Sequence, residues 1–185
     1  TLTAAISSPF LLTIQADSEH LLDINALRQR LISVTLRIEN TERHIEGILS
    51  AAHVHHHAAR APHYQFTIQP PLARLDTDCR YRHFSRTNAL SLIQMLLAEY
   101  QLTAQYHVDS AHNGKLDFSV QYQESTLNYL HRICERFGIN YLIGEDNTLY
   151  FQDHLHLPGS TLFSFDRIEK NNPNKPQLLS LIHEQ

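Results

Sequence analysis

The sequence has no tryptophan, one methionine, five glycines and two cysteines in 185 residues. Gly47, Gly114, Gly138, Gly144 and Gly159 are too scattered to make GxGxxG, GxSxG or a P-loop, so dinucleotide folds, elbow hydrolases and NTPases lack the turns their chemistry needs. Cys79 and Cys134 stand 55 residues apart and outside any CxxC, which excludes a zinc ribbon and a thioredoxin-type site. Without a secretory signal in the first ten residues, they read as reduced thiols. No apolar run is long enough to span a membrane, so no stable membrane insertion is expected. Lys and Arg number 15 against 19 Asp and Glu; the net charge of −4 lacks the cationic excess of non-specific nucleic-acid binding, and no nucleic-acid partner is expected.

What is present fits a folded protein. Apolar residues make up 42 % and charged residues 18 %, ordinary globular usage, and the length suits one large domain or two small ones. Arg outnumbers Lys twelve to three, which favours fixed ion pairs and interfaces. Fourteen histidines are unusual, and near pH 6.5 about half of them would carry charge.

The first third alternates with a period of two. Strands are expected over 10–15, 32–39, 45–49 and 64–69, each with one apolar and one polar face, as in an antiparallel sheet or barrel. Pro70-Pro71 ends the last of them. Residues 51–63 read as a polar, His-rich connection and 72–82 as polar and irregular. The middle third turns to helical spacing. Thr87 is a candidate N-cap for a helix over 88–99, and Ser125 for a second with Leu127, Leu130, Cys134 and Phe137 as its stripe and Gly138 as its left-handed end. Strands are expected over 102–108 and 117–123, as a hairpin about Asn113-Gly114, and over 139–143 and 148–151, as a hairpin about 145–147. A strand over 162–165 and an apolar stretch over 178–182 close the chain. Read from the residues alone the class is α+β: an antiparallel sheet or barrel over 1–75, a mixed α/β block over 76–156, and a closing segment over 157–185.

Few constellations carry chemistry. If extended, His53, His55 and His57 share one face and could hold zinc with an open position, which gives a zinc-dependent hydrolase as the alternative class; a polar loop is the simpler reading. Asp153, His154 and His156 are a second cluster. Asp76/Asp78 and Glu145/Asp146 read as solvated turn acids, and Arg80, Arg82 and Arg86 as an ion-paired surface or subunit contact. No catalytic residue and no cofactor is expected. The polar strand faces, with Thr35, Arg37 and Glu39, are the interface candidates.

Several motifs occur in the order of a known family. Residues 64–75 (YQFTIQPPLARL), Tyr81-Arg-His-Phe84 and the segment 88–102 are followed by 118–130 (FSVQYQESTLNYL), 135–142 (ERFGINYL) and 149–154 (LYFQDH). Across 5–165 the chain resembles the VgrG spike proteins of type VI secretion and the phage late control D (tail hub) proteins. The resemblance implies a fold and a structural role: a tube-like β-barrel with an inserted mixed α/β domain, with 1–75 a first barrel segment, 76–156 the insertion and 157–185 a return segment toward a second barrel, in a homotrimeric hub whose pseudo-six-fold ring docks on an Hcp-like tube hexamer, with baseplate proteins and effectors as further partners. Assembly from the bacterial cytoplasm and translocation with the spike are implied too. Relatives continue through a second barrel, an OB-fold and a needle, so a fragment or a truncated member is expected; an effector adaptor is a third reading.

Overall fold

Alternating apolar side chains build the first unit. The computed structural model describes residues 1–28, 30–38, 41–55 and 62–154. In it β1 (Leu2–Thr3), β2 (Leu11–Asp17), β3 (Leu31–Ile38), β4 (Thr41–His55) and β5 (His63–Gln69) form an antiparallel sheet in the order β1-β2-β5-β4-β3. The sheet is strongly curled into half a barrel. Leu12, Ile45 and Ile68 are buried on its inner face, with Phe10, Ile14, Ile32 and Val34 packed against them. Gly47 permits the curl: a Cβ there would lie 2.6 Å from Ile68 Cγ2 and 2.7 Å from the Gln69 carbonyl oxygen. A four-residue helix, α1 (Ile24–Leu27), with Asp23 as its cap, lies between β2 and β3, and the Leu22 N–H donates to the Tyr64 hydroxyl at 2.9 Å.

The expected connection over 51–63 is in part strand. The β4–β5 register shifts between Leu49 and Ala51. Before the bulge Ile45, Gly47 and Leu49 face the core; after it Ala52 and Val54 pair with Phe66 and Tyr64, and His53 and His55 move to the outer face opposite Gln65 and His63. One extra residue therefore keeps two histidines out of an apolar core.

Residues 72–82 are not irregular. A 3-10 helix (Pro71–Asp76) buries Leu72 and Leu75 in the second core, and β6 (Cys79–Asn88) follows. Then come α2 (Ala89–Glu99), β7 (Ala104–His107), β8 (Lys115–Ser125), α3 (Thr126–Phe137), β9 (Asn140–Ile143) and β10 (Leu149–Gln152). Here β6 and β8 form a two-stranded ribbon, and β7-β10-β9 a mixed sheet in which β7 runs parallel to β10. The Asn113-Gly114 hairpin is not formed: β7 and β8 belong to different sheets. Asn113 instead accepts from the Leu90 N–H at 3.0 Å, and the Gly114 carbonyl from the Ala89 N–H at 3.1 Å, so the pair anchors the start of α2. The β9–β10 hairpin forms as expected.

Between these layers Leu92, Ile93, Leu96, Leu130, Ile133 and Phe151 are almost fully buried. Each such side chain contributes about 1.5–3 kcal/mol of hydrophobic stabilisation. The class is α+β, a curled antiparallel sheet followed by mixed α/β elements. The return segment 157–185, with its stretches at 162–165 and 178–182, lies outside the described residues.

Candidate functional site

Strand β3 forms one end of the curled sheet, so among the described residues its outer edge has no strand partner. Ile32, Val34 and Leu36 turn inward and pack on the core, while Thr35 is exposed and its Oγ1 lies 3.1 Å from His44 Nδ1. Arg37 stands opposite Glu42 in the β3–β4 register. Glu39 lies outside the described residues. An eight-residue edge with an apolar inner face and a polar outer face is a template for adding another strand.

The ribbon β6–β8 presents a second surface. Its inner face packs Phe84 and Ser119 against Tyr129, whose hydroxyl donates to Ser119 Oγ at 2.8 Å. Its outer face exposes Tyr81 at 64 %, Phe118 at 62 % and Tyr122 at 70 %, with Tyr81 and Tyr122 edge to face and His83 stacked on Phe118. The expectation passed over this aromatic face, although Phe118-Ser-Val-Gln-Tyr122 carries the period-two signal for it.

Among the described residues Arg80 and Arg82, but not Arg86, form an ion-paired brace. Arg82 donates to both carboxylate oxygens of Glu99 at 2.7 and 2.8 Å and to Gln121 Oε1 at 2.6 Å; Arg80 bridges Glu99 and Asp78. It ties the end of α2 to the ribbon. Asp78 is no solvated turn acid: the bond from Arg80, then the 2.7 Å bond from the Tyr100 hydroxyl, hold its carboxyl below the usual range. Asp76 likewise accepts from Ser125 Oγ at 2.9 Å, and Asp146 from Thr148 Oγ1 at 2.7 Å. The free thiol of Cys134 is buried and pushed up to about 12 by that burial; the Cys79 thiol is free and exposed.

The two units meet at Ser7. Its N–H donates to the Tyr141 carbonyl at 3.0 Å and its Oγ accepts from the Tyr141 N–H at 3.1 Å, capping the outer edge of β9. A cleft of about 490 Å³ opens beside this seam, lined by Leu2, Ile6, Phe10, Ile45, Ile143 and Glu145 among others.

His53 and His55 are both exposed on the outer face of β4, and His57 lies outside the described residues. Asp153 accepts from the Asp109 N–H, the rings of His112 and His154 are 6.3 Å apart, and His156 lies outside the described residues. Among the described residues no group of three or more His, Cys, Asp or Glu is placed to hold a metal ion, and the hydrolase alternative finds no support.

The sequence matches the phage tail baseplate hub (GPD) family over residues 3–173. It is 26 % identical over 170 residues to the type VI secretion system spike protein VgrG5 of Pseudomonas aeruginosa, covering 90 % of this chain and 21 % of that protein. It is 30 % identical over 102 residues to the actin cross-linking toxin VgrG1 of Vibrio cholerae, covering 54 % of this chain and 9 % of that protein. The chain thus spans about a fifth of the first of these relatives and about a tenth of the second. In fold it is similar, with a TM-score of 0.71 at 15 % identity, to the E. coli c3393 protein, a component of the type VI secretion system with structural similarity to the T4 bacteriophage tail proteins gp27 and gp5. That likeness covers 81 % of this chain and 44 % of the other.

Proposed function

The chain belongs to the phage tail baseplate hub family, and from that premise we propose that it is the N-terminal part of a VgrG-type hub in a contractile injection machine. Its work is to tile a conduit. Three copies form a ring that seats the needle on an Hcp-like tube hexamer, with baseplate proteins around it and effectors as cargo. The protein assembles in the bacterial cytoplasm and leaves the cell with the spike. No bond-making step is assigned to it.

The observation that carries this reading is the curled sheet ending on the eight-residue strand β3, whose outer edge has no strand partner among the described residues. A ring of subunits can pair such edges across its interfaces, whereas a long exposed edge on an isolated chain is an aggregation liability. The relatives named as type VI spike proteins favour a secretion machine over a phage tail as the parent.

Light scattering of the gene's full-length product, and co-purification of its tube protein, test the proposal. The double change Thr35→Lys and Arg37→Glu is expected to abolish the trimer and the tube complex while the far-ultraviolet dichroism stays native. A variant that still assembles and is still secreted would remove β3 from the interface. Wild-type protein that stays monomeric beside its tube protein would remove the hub role itself.

A further inference from the structure

The hub reading leaves the histidines without a task. On the outer face of the curled sheet, Asp17, His63 and His55 are successive register partners across β2, β5 and β4. Asp17 Oδ1 lies 2.8 Å from His63 Nδ1, and the ring centres of His63 and His55 are 6.2 Å apart. In the neutral imidazole, a carboxylate at Nδ1 keeps the proton on that nitrogen and leaves the Nε2 lone pair on the far side of the ring available to a metal ion. Because β2 flanks β5 on one side and β4 on the other, the far side is the one His55 occupies.

We propose that His55 and His63 together bind a divalent transition-metal ion, with Asp17 as the positioning residue that fixes the tautomer of His63. Two imidazole nitrogens about 2.1 Å from one ion place their ring centres roughly 5–6 Å apart, so a small rotation of the exposed His55 closes the pair on the metal. Water completes the coordination. Imidazole donors select Cu²⁺, Ni²⁺ and Zn²⁺, with Cu²⁺ tightest, and reject Mg²⁺. The site carries no base and no substrate cleft, so the proposal is binding and not hydrolysis. The bulge in β4 makes the site, since it sets His55 on the face that carries His63.

Calorimetric titration of the 185-residue chain with Cu²⁺, paired with electron paramagnetic resonance, tests it. A Cys79→Ser background removes the exposed thiol. One saturable ion per chain is expected, with a signal from two imidazole nitrogens, weaker binding of Zn²⁺ and no response to Mg²⁺. His55→Gln and His63→Gln should each lower the affinity at least tenfold, and His107→Gln, on β7, should not change it. Asp17→Asn should weaken binding about 10–100-fold and keep the two-nitrogen signal. Undiminished binding by His63→Gln, or unsaturable uptake spread over many histidines, would overturn the site. Wild-type affinity in Asp17→Asn would overturn the role of Asp17.

Discussion

His131 shows how one side chain couples this fold to pH. Burial pushes its imidazole below the usual value, against the opposing pull of Glu135 and Asp76. Burial also pushes the Tyr141 phenol up, and its hydroxyl lies 2.8 Å from His131 Nε2. The fold therefore favours the neutral ring. A group whose folded pKa lies below its unfolded value of about 6.5 supplies its full stability above that pH and loses it as the pH falls. The urea midpoint should drop between pH 7 and about 5, and His131→Gln should flatten that drop. A carboxylate loses its share at lower pH. Asp78, held down first by Arg80 and then by Tyr100, stabilises the fold above about pH 3.9 and loses that share in stronger acid. The deficit of Asp78→Asn against wild type, measured by denaturation, should be largest at neutral pH and shrink below pH 4.

Among the elements, the helices separate what spacing can fix from what it cannot. Ser125 caps α3 as its position predicts: Oγ accepts from the Asn128 N–H at 3.1 Å, and Gly138 closes the helix at φ +66°. The start of α2 was legible only to within one residue, because Thr87 and Asn88 are both good caps. Strand β6 runs on through Asn88, whose extended backbone (φ −120°, ψ 168°) lets its Oδ1 accept from the Ser91 N–H at 2.8 Å. Thermal or chemical denaturation should find Asn88→Ala about 1 kcal/mol less stable and Thr87→Ala close to wild type. The hairpin expected at Asn113-Gly114 failed for a different reason. A turn signal states that the chain reverses, not which strands then pair; β7 found a parallel partner in β10, and Gly114 is pressed so close to the Phe137 ring that a Cβ would lie 2.4 Å from it.

At the scale of the whole molecule, Ser7 does much with little. It holds φ +54°, a conformation closed to proline, and makes both hydrogen bonds to Tyr141. Ser7→Pro should release the first residues from β9 without unfolding either core. Hydrogen exchange should then show faster exchange at the Tyr141 amide and unchanged protection in α2 and α3; protection kept at Tyr141 would mean that the seam is held by other contacts. The second surface, the aromatic face of β6 and β8, is carried by alternation that by itself would bury Phe118 and Tyr122 and expose Ser119 and Gln121; the structure does the reverse, with Tyr129 of α3 packed on the side of Ser119.

Periodicity and composition by themselves determined the α+β class, the two long helices, most of the strands but not β1 or β6, the cap of α3 and the want of nucleophile and phosphate motifs, because each is set by neighbours in sequence. The tertiary structure decided the pairings: β7 with β10, β6 with β8, and the placing of His55 beside His63. A one-residue bulge turns a side chain from core to water without changing the hydrophobic pattern that precedes it, so no count along the chain could have foretold it.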